Sequence, residues 1–245
     1  MDIDADNQPL PIRLPLAAAI EEAWMRLAGP GTWWSPAERL AIATKVRQAR
    51  DCRLCAERKS ALSPYAVTGT HDGKGQLPEQ AVEAIHRIAT DAGRITESWV
   101  RAISDGPIGD APYVEIVSLV AVVTALDTFD HALGRPLRSF PLPVGGAPSR
   151  LRPAGARRDL AWVATLAPEA VVAGELNPYP VHGGKNIHRA LSLVPQEVFN
   201  FFDLDVELYL KDHEIRDFAT EHRAISHAQI ELIAGRASAI NECFY

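Results

Sequence analysis

Residues 113–134 read Y-V-E-I-V-S-L-V-A-V-V-T-A-L-D-T-F-D-H-A-L-G, and this stretch decides the fold class. Its many Val and Ile residues are also typical of a strand. The length of the run and its closing Ala-Leu-Gly instead favour a buried helix that is apolar on most faces. Pro112 introduces the run. We therefore predict a long core helix here.

Helical signals continue on both sides of this stretch. Ser35 is a predicted N-cap, with Pro36 at the first helical position and Glu38 three residues after the cap. Further helices are predicted at residues 16–27, 77–89, 186–202 and 204–220, and from Ser226 onward. No stretch alternates cleanly enough to predict a strand. The predicted class is all-α.

Composition excludes several classes of protein. The chain has 245 residues, of which 47% are apolar and 23% charged, and a net charge of -6 gives no reason to expect nucleic acid as a partner. The longest apolar run, residues 116–126, is shorter than the roughly 20 residues that span a bilayer. The acidic N-terminus has no secretory pattern, and three cysteines make no disulfide framework. We predict a cytoplasmic protein without a membrane partner.

A repeat indicates two related helical units. Residues 35–52 and residues 226–243 align over 18 positions without a gap, and five positions are identical. Both copies begin with a capping box and end on a cysteine, Cys52 in the first and Cys243 in the second. Residues 135–155 carry five prolines and little periodicity, so we place a linker there. The predicted units are residues 1–148 and 149–245.

Both cysteines are predicted to lie at helix N-termini. Asp51 precedes Cys52, and Asn241 stands two residues before Cys243; Asp and Asn are good N-cap residues. Free backbone N–H groups at a helix N-terminus favour the thiolate, which is the nucleophilic form. Cys55 lies one turn after Cys52 and can resolve an oxidised first sulfur as a disulfide.

The neighbouring cations Arg50, Arg53, Arg58 and Lys59 are expected to favour the thiolate further. Half of a zinc site is the alternative for this cysteine pair. The sequence has no second C-x-x-C, and His71 and His86 do not show the spacing of a zinc finger, so no metal is predicted. Unreactive structural cysteines are a third interpretation.

The sequence Q-I-E-L-I-A-G-R-A-S-A-I-N-E-C-F-Y resembles the active-site motif of the alkylhydroperoxidase D-like members of the carboxymuconolactone decarboxylase superfamily. In that motif a glutamate precedes Cys-x-x-Cys by twelve residues and a histidine follows it. Glu231 and Cys243 fall at the glutamate and first-cysteine positions. Residues 113–134 and the segment N-I-H-R-A-L-S-L-V-P resemble other helices of the same family.

The resemblance implies an all-helical, homo-oligomeric, thiol-dependent oxidoreductase. Its cysteine pair would reduce a peroxide, with a Glu and a His relaying protons and a dithiol donor supplying electrons. No metal or organic cofactor is expected. The candidate catalytic residues are accordingly Cys243, Glu231, Cys52 and Cys55.

The first copy departs from the family pattern, because Leu40 stands at the glutamate position and Lys59 at the histidine position. A decarboxylase- or lactone-type enzyme acting on a small acid is an alternative function, although that branch needs no Cys-x-x-Cys. A non-catalytic helical scaffold with vestigial cysteines is another.

The second copy stops one residue before its second sulfur position. We expect that the native gene continues past Tyr245 through a selenocysteine codon.

Overall fold

The computed structural model of the chain describes residues 10–73, 75–179, 186–241 and 243. These residues are helical and contain no sheet, only one isolated bridge between Arg157 and Thr165, so the all-α prediction is confirmed. The α-helices are α1 (Leu14–Arg26), α2 (Pro36–Ala49), α3 (Arg53–Ser60), α4 (Glu79–Asp91), α5 (Glu97–Ser104), α6 (Asp110–Ala132), α7 (Asn186–Ala190), α8 (Pro195–Leu208), α9 (Asp212–Ile215) and α10 (His227–Ile240). Short 3₁₀ turns lie at Pro64–Ala66, Ala92–Arg94 and Pro168–Ala170.

Helix α6 is the centre of the fold, as the sequence predicted. It contacts α2, α4, α5 and α8, and its side chains Leu119, Val123 and Leu126 are at most 1% exposed. These side chains share an apolar cluster with residues of the surrounding helices, among them Ile42 of α2 and Ile85 of α4. Burying a Leu or Ile side chain stabilises a fold by about 1.5–3 kcal/mol. The helix is therefore apolar on most faces because it has neighbours on most faces.

The same helix is the one described element long and apolar enough to cross a membrane by length and composition. Within the fold, 61% of its most apolar window is buried, as expected for a core helix. The helix has 23 residues and so extends beyond the apolar run at 116–126. The predicted cytoplasmic location and the absence of a membrane partner stay predictions.

The serine caps were predicted correctly, but the boundaries of the later helices were not. The capping boxes at Ser35 and Ser226 are both present. The predicted break at residue 203 is wrong, because α8 begins at Pro195 and continues to Leu208. A proline is tolerated in the first turn of a helix but not in its interior, which explains the separation of α7 from α8. Helix α5, capped by Thr96, was not predicted.

The predicted linker is irregular in structure but packed against the helices. The Trp24 indole donates a hydrogen bond to the Ser139 carbonyl at 2.9 Å, and the Val144 N–H donates to the Ala28 carbonyl at 2.8 Å. Residues from both sides of position 148 share two apolar clusters; Leu204 packs in one and Val198 in the other. The division into units 1–148 and 149–245 stays a prediction.

Candidate functional site

Four side chains converge where α3, α4 and the loop between them meet. They are Cys52, Cys55, His71 and His86, and one sulfur or nitrogen atom from each lies within 4.8 Å of the others. His71 Nδ1 is 3.5 Å from the Cys52 sulfur and 3.6 Å from the Cys55 sulfur. His86 Nδ1 is 3.3 Å from the Cys55 sulfur. Both sequence-predicted cysteines of the first copy therefore lie in a compact sulfur and imidazole cluster.

The start of α3 positions the two sulfurs. Cys52 itself is the N-cap, with extended backbone angles, and Arg53 is the first helical residue. The predicted capping role of Asp51 is therefore wrong. The carboxylate of Asp72 accepts a hydrogen bond from the Arg53 N–H at 2.7 Å, so a residue distant in sequence supplies the capping group. Cys55 then follows on the first turn of α3, beside Cys52.

The loop that carries His71 is held at both ends. Arg58 Nε donates to the Val67 carbonyl at 3.1 Å, and Lys45 Nζ donates to the Gly73 carbonyl at 2.8 Å. Gly73 has a φ of 87°, in the left-handed region that glycine adopts without strain. These contacts, together with the Asp72 bond to α3, fix the imidazole of His71 over the sulfurs.

Glu83 orients His71 from the opposite side of the ring. Its Oε2 is 2.8 Å from His71 Nε2, and both of its carboxylate oxygens accept hydrogen bonds from Arg58, at 3.0 and 2.7 Å. Glu83 and His86 are three residues apart on α4 and so lie on one face of that helix. One helix thus supplies both a carboxylate and an imidazole to the cluster.

The surroundings shift the pKa values of these groups in different directions. Burial opposes ionisation of Cys52, but the Asp72 and Cys55 backbone amides and the His71 side chain outweigh it, so its pKa is lowered. For His71, burial is outweighed by hydrogen bonds with Cys55, Glu83 and Cys52, which raise its pKa to about 10. Burial and the nearby charges of His71 and Lys45 lower the pKa of His86 to about 4. Burial of Glu83 is outweighed by His71 and Arg58, which lower its pKa to about 2.

Three of the four cations expected to assist the thiolates lie beside carboxylates instead. Arg58 pairs with Glu83, and Arg50 pairs with the buried Asp127 at 3.3 Å. Arg53 is exposed and lies 3.8 Å from Glu57. The groups that lower the pKa of Cys52 are instead the backbone amides and the His71 side chain.

The cluster is reached from solvent on the His71 side. An open cleft of about 920 Å³ is lined by Thr70, His71 and Glu83, among other residues. Cys52 and Cys55 lie behind this surface and are 2% and 5% exposed. A small molecule in the cleft would meet the imidazole and carboxylate before the sulfurs.

The predicted site residues of the second copy lie apart from this cluster. Cys243 is exposed, and Glu231 accepts a hydrogen bond from the Tyr209 hydroxyl at 2.5 Å. Helix α10 is continuous from His227 to Ile240, so Glu231 lies about 13 Å along the axis from its end. Asn241 is the C-cap of this helix, not the start of another. The structure does not bring Glu231 and Cys243 together, and residues 242, 244 and 245 lie outside the described ranges.

Sequence reasoning missed the roles of His71, Glu83 and His86. No spacing rule links residues 71 and 86 to a C-x-x-C at 52, because the loop and α4 set their positions. A partial signal existed on α4, where Glu83 and His86 fall on a helix face that also carries buried apolar residues. A carboxylate and an imidazole on a buried face indicate that polar partners lie opposite.

A second polar cluster joins α2, α6 and α8. The Arg39 guanidinium contacts Glu115 at 2.5 Å and Glu197 at 2.8 Å, and all three side chains are at most 3% exposed. Ser118 donates a hydrogen bond to Glu197 at 2.7 Å, and the Trp33 N–H donates to Glu115 at 2.6 Å. A cavity of about 590 Å³ borders Arg39 and Glu197. No motif in the sequence indicated this buried triad.

No model of a protein family, no curated protein and no solved structure matches this chain.

Proposed function

We propose that this chain is a thiol-dependent oxidoreductase whose reactive pair is Cys52 and Cys55. The observation that supports it most is the position of His71, whose Nδ1 lies within 3.6 Å of both sulfurs while Glu83 holds its other ring nitrogen. A thiol beside an imidazole that a carboxylate orients is the usual arrangement of an activated cysteine nucleophile. The cleft beside His71 gives a small substrate access to the cluster.

The proposed substrate is a peroxide. The Cys52 thiolate attacks the outer oxygen, the O–O bond breaks, and the leaving alkoxide takes a proton from His71. This gives a sulfenic acid on Cys52 and an alcohol. The Cys55 sulfur then displaces water from the sulfenic acid, which forms a disulfide. An external dithiol donor reduces that disulfide and completes the cycle.

This function agrees with the proposed relation to the alkylhydroperoxidase D-like proteins. Leu40 and Lys59 occupy the positions where that family's glutamate and histidine are expected. In this chain Glu83 and His71 would fill the two roles from α4 and the loop before it. We propose a dithiol as the electron donor and a homo-oligomer as the assembly, both on the strength of the resemblance alone.

The test is peroxide consumption by the metal-free 245-residue chain, with dithiothreitol as donor. We expect Cys52→Ser and Cys55→Ser to abolish turnover, and His71→Ala to lower it about 100-fold, the usual contribution of a general acid. Cys243→Ser is the matched control and should retain activity. Full activity in Cys52→Ser would contradict the proposal. Loss of activity in Cys243→Ser, with activity retained in the other variants, would contradict it too.

A second candidate is an enzyme that acts on a small acid, as the decarboxylase branch of the superfamily does. The cavity beside Arg39 and Glu197 is the observation that favours it. Arg39 is already paired with two carboxylates, however, which leaves its charge satisfied. Turnover of a carboxymuconolactone-like substrate by Cys52→Ser would support this candidate over the first.

A further inference from the structure

We infer that Cys52, Cys55, His71 and His86 form a tetrahedral site for a zinc-class divalent cation. Two thiolates and two imidazoles are a common ligand set of structural zinc sites. The four side chains come from three places: the start of α3, the loop before α4, and α4 itself. No zinc site was predicted from the sequence, because His71 and His86 do not show the spacing of a zinc finger. The tertiary packing nevertheless brings both histidines to the cysteine pair.

The distances between the ligand atoms fit one central ion. Zinc lies about 2.3 Å from a thiolate and about 2.0–2.1 Å from an imidazole nitrogen, so tetrahedral geometry separates sulfur from nitrogen by about 3.5 Å. Three of the four sulfur-to-nitrogen distances at the cluster are 3.3, 3.5 and 3.6 Å, and all four ligand atoms lie within 4.8 Å of one another. A cation at the centre would therefore need only small movements of the four side chains.

His86 distinguishes this inference from a simple dithiol centre. A peroxide-reducing pair needs one imidazole, and His71 already contacts both sulfurs. His86 is 0% exposed, its Nδ1 faces the Cys55 sulfur, and its Nε2 has no hydrogen-bond partner among the described residues. Burying an imidazole with an unpaired nitrogen is costly. Coordination of a cation by Nδ1 would offset this cost.

The shell around the four ligands also suits a metal. Glu83 contacts His71 Nε2, which leaves Nδ1 as the ligand atom and orients the ring. A carboxylate behind a histidine ligand is the usual arrangement at zinc sites. Arg58 in turn holds Glu83 with two hydrogen bonds. The ligands are thus restrained by contacts outside the cluster.

A bound cation and a disulfide exclude each other, because both use the electron pairs of the same sulfurs. Oxidation of the loaded site by a peroxide would form the Cys52–Cys55 disulfide, reduce the peroxide to an alcohol and water with uptake of two protons, and release the cation. The cation would therefore protect the thiols until a peroxide removes it. This regulatory half rests on the proposed function; the metal site itself does not.

The first experiment titrates the reduced, chelator-treated 245-residue chain with Co²⁺, followed by Zn²⁺. We expect one Co²⁺ per chain, with the thiolate charge-transfer and intense visible bands of a tetrahedral sulfur–nitrogen site, and loss of these bands when Zn²⁺ is added. A spectrum of hexa-aqua Co²⁺ without charge transfer would overturn the metal site. This measurement on the unaltered chain needs no variant to fold.

Variants then identify the ligands. His86→Phe keeps a buried ring but removes the nitrogen. We expect the Kd for Co²⁺ to rise by at least about 100-fold, since replacing even a residue that only hydrogen-bonds a ligand costs about 10–100-fold. His131→Phe, at an exposed histidine on α6, and Cys243→Ser should bind as the parent does. Circular dichroism of each variant establishes that it is folded. Unchanged binding by folded His86→Phe would overturn the four-ligand site.

The second experiment adds hydrogen peroxide to the Zn²⁺-loaded chain and measures the cation with a chromogenic chelator. We expect one Zn²⁺ to be released as two thiols are lost. If Zn²⁺ binds but peroxide neither releases it nor oxidises the thiols, the regulatory half is wrong while the metal site stands. If no metal binds and the metal-free chain still consumes peroxide, the metal site is wrong while the proposed function stands.

Discussion

At the residue scale, the role of each site residue follows from its contacts and not from its neighbours in sequence. Asp51 and Arg53 flank Cys52 in the chain, yet Asp72 and His71 shape its environment. Glu83 shows the same principle, because one carboxylate holds both His71 and Arg58. Removing this partly buried carboxylate takes a hydrogen-bond partner from both side chains.

Glu83→Gln tests how much the contacts of the Glu83 carboxylate with His71 and Arg58 stabilise the fold. The amide keeps the size of the side chain but loses the charge, so we expect the free energy of unfolding to fall by about 1–3 kcal/mol. Glu97→Gln is the control, since Glu97 forms an exposed pair with Arg101 and should matter by about 0.5 kcal/mol or less. Urea unfolding of both variants provides the measurement. Equal losses in the two would show that Glu83 is no more than a surface charge.

At the element scale, α2 and α10 show how similar sequences meet different surroundings. Both helices have 14 residues and a serine capping box. Ile42 of α2 is 0% exposed, whereas its counterpart in the repeat, Ile233 of α10, is 60% exposed. The repeat therefore predicts a capped helix correctly for both α2 and α10, but only α2 packs into the core. That the helices mark two related units stays a prediction.

Replacing the cap residues tests this difference between the core helix α2 and the exposed helix α10. Ser35→Ala should lower the global free energy of unfolding by about 1 kcal/mol, because α2 is part of the core. In Ser226→Ala, α10 should fray locally, so amide hydrogen exchange in α10 accelerates while the global value hardly changes. Urea unfolding combined with hydrogen exchange measures both effects. An equal global loss in the two variants would contradict this distinction.

At the scale of the whole molecule, buried ionisable side chains connect the central helix α6 to α2 and α8. Glu115 lies on α6, Arg39 on α2 and Glu197 on α8, and the Trp33 N–H also contacts Glu115. Burial, only partly offset by Arg39 and reinforced by Glu197, raises the pKa of Glu115 to about 7. The folded chain therefore holds a proton on Glu115 at a pH where the unfolded chain has lost it.

This difference gives the stability of the fold a pH dependence. The folded pKa lies above the ordinary value of 4.5, so the contribution is fully present below that value and is lost as pH rises through 7. We expect the parent chain to lose about 2 kcal/mol relative to Glu115→Gln between pH 5 and pH 8. Exposed Glu21→Gln controls for removal of one carboxylate. The free energies of unfolding are measured with urea at both pH values. An equal difference between the parent and Glu115→Gln at pH 5 and pH 8 would contradict this prediction.

The sequence by itself determined the helical class, the long core helix, the two serine caps and the cysteine pair. These features depend on local properties: apolar periodicity, capping groups and residue spacing within one helix. Only the tertiary structure placed His71, Glu83 and His86 around Cys52 and Cys55, and Arg39 between Glu115 and Glu197. Such contacts join residues that are far apart in the chain, and their distances depend on how whole helices pack. No periodicity within one helix carries that information.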